Sequence, residues 1–234
     1  MTMSRIMQHM LSDLVALFFP NYCIHCKTKL LKQEEWLCTT CFVNLPQIPY
    51  DADANTFMAQ KLYGEVPILY AFALYKFRAG NAVQHLIHHL KYKNSPAIGE
   101  MLGKICGTQL VQNMSQHSFD SIIPVPLHPD KIRHRGYNQS DYFAKGLAIA
   151  LNLPWYNQCI HRIKKTATQT KKNKIERMEN LQDAFLVVDI DSIRDQHVLL
   201  VDDVITTGAT IKACAAALFM AGVKKISVVS ICIA

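Results

Sequence analysis

Several things are scarce or missing in this 234-residue chain. No apolar run is long enough to cross a bilayer. The first 19 residues come nearest, but His9 and Asp13 interrupt them and they leave through Phe18-Phe19-Pro20. A secretory leader would want a basic start, an unbroken apolar stretch and a small-residue cleavage site, so a cytoplasmic chain without a transmembrane segment is expected. Charge is also sparse, at 18% of residues against 50% hydrophobic, which argues against a disordered polar chain and leaves enough apolar surface for a core. There is no internal repeat and no low-complexity tract, so stacked-repeat architectures are set aside. Acids are the scarcer charge, 18 against 25 Lys and Arg, for a net charge of +7 and a pI near 9.0. That excess suits phosphate-bearing partners (small polyanions, nucleic acid or an anionic membrane surface) without choosing among them.

Cysteine is not scarce. Cys23-x-x-Cys26 and Cys38-x-x-Cys41 form two pairs separated by eleven residues. Two residues between cysteines let both sulfurs converge on one ion, and two such turns give a closed tetrahedral site suited to structural zinc, supporting folding rather than catalysis. The alternative is two unrelated pairs or redox dithiols. Cys106, Cys159, Cys214 and Cys232 lie singly among apolar neighbours and read as buried thiols. Ahead of the pairs, Ile6, Met7, Met10, Leu11, Leu14, Val15 and Phe18 recur at helical spacing. Residues 1–50 therefore read as an amphipathic helix plus a cysteine module. The helix is expected to pack on that module or a partner, with attachment to a membrane surface as the weaker reading.

Residues 51–234 read as a second domain, beginning with a connector to about residue 64. A strand is expected over 70–77, and a helix over Ala82–Tyr92 with Val83, Leu86, Ile87 and Leu90 on one face. Further helices are expected over 98–111, 140–152 and 209–221. Apolar runs at 121–126, 184–188, 197–201 and Lys225–Ile233 alternate with them, and such alternation implies α/β architecture, a parallel sheet covered on both faces. His85, His88 and His89 share a helix face with no carboxylate, so they read as partly buried or surface histidines rather than a second metal site.

The densest signal follows the run Val198-Leu199-Leu200-Val201. Asp202, Asp203, Val204, Ile205, Thr206, Thr207, Gly208, Ala209 and Thr210 lead from a buried strand into a helix. Ligand crevices of open parallel sheets lie at the carboxyl ends of strands. Gly208 permits a sharp turn or a close backbone approach, and amides at the helix start together with threonine hydroxyls cradle a phosphate. Two carboxylates beside a phosphate would repel it unless the ligand also offers hydroxyls or a metal ion. A ribose 5-phosphate offers hydroxyls. The bland alternative is a strand, an acidic turn and a capped helix. A P-loop is excluded, because no lysine follows the glycine.

The run resembles the 5-phosphoribosyl-1-pyrophosphate (PRPP) motif of type I phosphoribosyltransferases. Two basic segments accompany it. Pro124-Val125-Pro126-Leu127-His128 leads to Lys131, Arg133 and Arg135-Gly136-Tyr137-Asn138-Gln139. Then Arg162 to Arg177 includes Lys164, Lys165, Lys171, Lys172 and Lys174 against Glu176 alone. On charge pattern these are solvated loops, a closing loop over a polyanion, or a track for a nucleic-acid backbone. Together with Thr166, Gln169, Asn180, Ala184, Phe185 and the cysteine module, they make nearly the whole chain similar to the ComF/GntX family. At the position after the first cysteine pair, where that family often carries glycine, this chain has Lys27.

The resemblance implies a type I phosphoribosyltransferase fold with a small N-terminal zinc module, and a link to DNA uptake in competence or to use of DNA as nutrient. On that reading magnesium-bound PRPP sits with its 5-phosphate on residues 206–210, its ribose hydroxyls on Asp202 and Asp203, and its pyrophosphate near Arg135. Partners would be single-stranded DNA and other competence proteins at the inner membrane surface. An active transferase of nucleobase salvage, releasing pyrophosphate, is the alternative. No side chain stands out as a general base, so catalysis and ligand sensing both remain open at the level of sequence.

Overall fold

The structure is a computed structural model and describes residues 20–49, 62, 67–113, 118–163 and 184–234. The amphipathic segment 1–19, all of the connector except Leu62, and the lysines between 164 and 177 lie outside the described residues.

Four strands form one parallel sheet: β1 (Ile68–Lys76), β2 (Ser121–Pro124), β5 (His197–Ile205) and β6 (Lys225–Ile233), in the order β1-β6-β5-β2. The register runs from Val198 beside Ile226 to Ile205 beside Ile233. Alternate residues serve two cores, as the two-residue repeat of a strand requires. Leu199, Val201, Val229 and Ile231 face one, and Val198, Leu200, Ile226 and Val228 face the other. Helices α2 (Ala82–Tyr92), α3 (Pro96–Asn113) and α5 (Gln139–Leu151) cover the first face, and α6 (Ala209–Met220) covers the second. The expected parallel sheet with both faces covered is what the chain forms. Cys106, Cys159, Cys214 and Cys232 are all buried free thiols, as their apolar neighbours implied.

Three sequence readings need correction. The 121–126 run ends as a strand at Pro124, because the segment beyond it turns toward a two-turn helix, α4 (Pro129–Arg135). The charge pattern implies a loop there, but Pro129 stands in the first turn of this helix and Gly136 closes it at φ +83°. The apolar run at 184–188 does not join the parallel sheet. It supplies β4 (Phe185–Val187), antiparallel to β3 (Ile160–Arg162).

Helices α3 and α5 approach each other closely because glycines line their contact. A Cβ at Gly103 would collide with the Phe143 carbonyl and the Gly146 Cα, and one at Gly146 with the Glu100 carbonyl. Leu102, Cys106, Phe143 and Leu147 fill the seam and are fully buried. Burying a side chain of leucine or phenylalanine size is worth about 1.5–3 kcal/mol. This packing fixes the start of α5, which faces the end of β5.

The cysteine module docks on the same core. Its short helix α1 (Thr39–Val43) leads to a strand-like segment beside the outer edge of β1, where the Ile48 amide donates to the Leu74 carbonyl and the Lys76 amide to the Pro46 carbonyl. Ile24, Leu30, Leu37 and Leu45 join the cluster that holds Phe72, Val83 and Leu86.

Candidate PRPP loop and cysteine centre

Strand β5 runs further than its apolar stretch suggested. Pairing with β6 continues through Asp202 beside Ser230 and Val204 beside Cys232, so the two aspartates belong to the strand rather than to a turn after it. Ile205 is buried, Val204 half-buried, and Thr206 and Thr207 are exposed beyond the strand end. Gly208 takes φ +75°, the left-handed conformation that glycine adopts without strain, and starts α6. Ala209 and Thr210 form the first helical residues, and the Thr207 hydroxyl accepts from the Ala209 amide at 3.4 Å. The Lys212 amide donates to the Gly208 carbonyl at 2.9 Å, so the amides before it precede the intrahelical ladder and point out of the helix start. An exposed hydroxyl-lined turn at a helix N-terminus suits a phosphate.

The carboxyls are held from several elements. Ser140, at the start of α5, donates through Oγ to Asp202 Oδ1 at 3.0 Å, and the Asp203 amide donates to the same oxygen at 2.8 Å. Lys91, at the end of α2, pairs with Asp203 Oδ2 at 3.0 Å. Desolvation, then the Asp203 charge, pushes the Asp202 carboxyl up to about 7. Its proton is therefore held more tightly than that of an ordinary aspartate.

Cations surround this acidic pair. The Arg135 guanidinium, at the end of α4, donates to Gln139 Oε1 at 2.8 Å and lies over the Tyr92 ring at 5.4 Å. Burial, then Arg162, Arg135 and Lys91, pushes the Lys131 ammonium down, with Asp203 acting against them. Arg162, at the end of β3, is pushed down by burial and drawn up by Asp202, and its guanidinium covers the Phe185 ring at 5.5 Å. Lys91, Lys131 and Arg162 thus act on the two acids, and Arg135 acts on Lys131, giving a neighbourhood with excess positive charge and two carboxyls to take hydroxyl donors. The sequence placed Arg135 and Arg162 near the loop. It missed Lys91 and Ser140, which reach it only through the packing of α2 and α5. Ser140 directly follows the Asn138-Gln139 pair, whose Asn138 caps α5 and also donates to the Val125 carbonyl at 3.0 Å. Among the described residues, His85, His88 and His89 do not bring their ring nitrogens together as a group of metal ligands.

The cysteine centre is built over a short stretch. The Cys23 amide donates to the Thr28 carbonyl and the Lys27 amide to the Cys23 carbonyl, closing a turn that holds Lys27 at φ +64°. Cys38 precedes α1 and Cys41 lies within it. The sulfurs of Cys23, Cys26, Cys38 and Cys41 all lie within 4.8 Å of one another, and Cys26 and Cys38 are 3.5 Å apart. A tetrahedral zinc site with Zn–S bonds of about 2.3 Å has sulfur–sulfur edges of about 3.8 Å. The four sulfurs fit one ion without rearranging the turns. The Thr28 hydroxyl, 3.3 Å from Cys26 Sγ, is the largest influence bringing that thiol down to about 6, which favours the thiolate that binds metal.

Comparison with known proteins adds a lineage to this geometry. The phosphoribosyl transferase domain family matches residues 139–234, from α5 through β6. Competence protein F of Haemophilus influenzae is 29% identical over 227 residues, spanning 90% of this chain and 96% of that protein. DNA utilization protein YhgH of Salmonella typhi is 32% identical over 151 residues, 63% of this chain and 65% of that one. Competence protein ComFC of Streptococcus pneumoniae is 27% identical over 131 residues, 56% of each chain. Among solved structures, an allosteric regulatory enzyme of purine biosynthesis overlaps 62% of this chain and 30% of its own at 19% identity and a TM-score of 0.41. The UMP synthase of Leishmania donovani overlaps 78% and 31% at 13% identity and a TM-score of 0.35. Overlaps that loose add nothing to what the sheet order establishes.

Proposed function

We propose that this chain, which belongs to the ComF family and carries a phosphoribosyltransferase-like domain, binds PRPP at residues 202–210 and serves the handling of incoming DNA. One observation carries the ligand. Two carboxyls at the end of β5 stand beside an exposed threonine turn, with Lys91 paired to Asp203 and the charges of Lys131 and Arg162 acting on the acids. In this reading Asp202 and Asp203 accept the ribose hydroxyls, residues 206–210 take the 5-phosphate, and Arg135 with Lys131 and Arg162 holds the pyrophosphate. Magnesium travels with PRPP and offsets its charge. Zinc on the four cysteines holds the N-terminal module against the sheet, which is a folding role.

The DNA link rests on the relatives, named for competence and for DNA utilization. Single-stranded DNA is the proposed partner, with other competence proteins at the inner membrane surface and a division of labour between residues 1–50 and 51–234. Among the described residues no helix is long and apolar enough to cross a membrane, and the proposed location is cytoplasmic, peripheral to the inner membrane.

Titration calorimetry with magnesium-PRPP tests the ligand. Wild type should bind, and the Asp202→Ala, Asp203→Ala double variant should lose more than about a hundredfold in affinity, at roughly 1.5–3 kcal/mol for each charged hydrogen bond removed. Equal affinity in both would sink the assignment. Transfer to a nucleobase is the second reading, favoured by a carboxyl poised near 7 beside the ribose position. Pyrophosphate release across a panel of bases and amines is its readout.

A further inference from the structure

The solvent face of α2 joins the cysteine module to the proposed PRPP loop, and beyond Gln84 its exposed and half-buried side chains, from His85 to Tyr92, are aromatic or basic. At the module end the His25 ring meets the His85 ring edge-on at 5.2 Å. Along the helix, His88 lies 6.3 Å from His89 and 5.2 Å from the Tyr92 ring. At the far end the Arg135 guanidinium lies over Tyr92, and the adjacent Lys91 pairs with Asp203 of the loop. Helical spacing puts His85, His88, His89 and Tyr92 on one side, about 10 Å long. Tyr92 is 57% exposed, and His88 and Lys93 are exposed beside it. The charges acting on His85 and His89, after burial, come from His25, His88, Lys27 and Lys93, with no carboxylate among them.

Tyr92 packs no core, and its ring stays exposed with His88 beside it and Arg135 over it. Planar aromatic and guanidinium faces stack on unpaired bases, and a basic border tracks the phosphates between them. A duplex hides its base faces and offers them nothing to stack on. Building on the DNA-handling reading above, we propose that the His85–Tyr92 face of α2 is a track for single-stranded nucleic acid. On this track Tyr92 is the stacking platform and Lys93 a backbone contact, and the strand is delivered toward the PRPP loop at Arg135. The zinc module then has a reason to sit where it does, since it borders the track at His25 and Lys27.

Fluorescence anisotropy of the intact, zinc-loaded chain with labelled oligothymidylate tests this. Tyr92→Ala should weaken binding roughly tenfold, a stacked base being worth about 1–3 kcal/mol, and Tyr92→Phe should restore it by returning the ring. Lys93→Gln should lower the slope of log affinity against log salt by about 0.7, the value for one phosphate contact on a single strand. Tyr92→Phe, which keeps the ring beneath Arg135, and Lys93→Gln should leave magnesium-PRPP affinity in calorimetry unchanged. Wild-type affinity in Tyr92→Ala would overturn the track. So would a Tyr92→Phe as weak as Tyr92→Ala, duplex binding equal to single-strand binding, or a loss confined to free nucleotides and nucleobases. A chain that binds oligothymidylate through Tyr92 and never binds magnesium-PRPP keeps the track and overturns the loop assignment. The reverse result overturns the track alone.

Discussion

The cysteine centre and the loop proposed to bind PRPP both gather polar groups, but they are assembled over very different lengths of chain. The four cysteines span residues 23–41, and backbone turns between near neighbours aim their sulfurs at one point. Around the loop, Lys91, Lys131, Arg135, Ser140, Arg162 and Asp203 come from five separate elements, α2, α4, α5, β3 and β5. A centre built locally depends on its ligand for stability, because so short a stretch buries little apolar surface of its own. A centre built by the sheet depends on packing, and the packing exists with or without the ligand.

Removing metal should have the largest effect and most sharply divides the two regions. Metal analysis should find one zinc per chain in wild type and none in a Cys38→Ser, Cys41→Ser variant. Structural zinc contributes on the order of 10 kcal/mol to small modules, so chelation should unfold the cysteine turns, seen as a change in Trp36 fluorescence. The parallel sheet should persist by circular dichroism. Loss of the sheet together with the zinc would break the distinction drawn here.

Next in size is the packing that the loop depends on. Gly103→Ala or Gly146→Ala forces α3 and α5 apart, because each new Cβ meets backbone that cannot move out of its way. A cost of about 1–3 kcal/mol is expected in urea unfolding. PRPP affinity should fall as Ser140 and the start of α5 shift, while zinc content stays at wild type.

The Asp202 carboxyl should make the loop sensitive to pH. Its value is raised from 3.8 to about 7, so between these limits the folded chain holds a proton that the unfolded chain has released. Its contribution to stability therefore falls as pH rises through that window. Hydroxyl donors favour the carboxylate, so PRPP affinity should rise with pH through about 7 and flatten above it, by up to about tenfold per unit on the acid side. PRPP titrates as well, so the quantity to measure is the difference from Asp202→Asn, which should lack this component. Identical pH profiles would remove the poised carboxyl.

The smallest effect belongs to the cysteine turn. Lys27 sits in the left-handed region at φ +64°, where a side chain costs about 1–2 kcal/mol. Lys27→Gly relieves that strain but loses the Lys27 Nζ bond to the Ile24 carbonyl at 3.1 Å, and glycine adds freedom to the unfolded chain. A net gain of about 0.5 kcal/mol in thermal unfolding is expected. A loss instead would mean that the lysine bond outweighs the strain.

Legibility in the sequence followed the same division. Cys23, Cys26, Cys38 and Cys41 were legible as one centre because their spacing is itself the geometry. The apolar run at 197–201 and the α2 pattern of Val83, Leu86, Ile87 and Leu90 were legible because both are signals over a few residues, and all four α2 positions are buried. Helix α4 was not, because its seven residues carry no buried face to set a period, and only Pro129 and Gly136 mark its ends. The pairing of β4 with β3 depends on contacts across more than twenty residues, which no local pattern encodes.

By itself the sequence determined the chemistry on offer. It supplied four sulfurs at metal-binding spacing, two acids before a threonine-and-glycine turn, and an excess of basic residues. These are matters of residue order, and residue order survives without a fold. Only the tertiary structure decided which charges meet. Lys91 pairs with Asp203, Ser140 donates to Asp202, and Arg135 stacks on Tyr92. Glycine-lined helix packing and sheet register bring together residues distant in the chain, and electrostatic interactions act through space rather than along it.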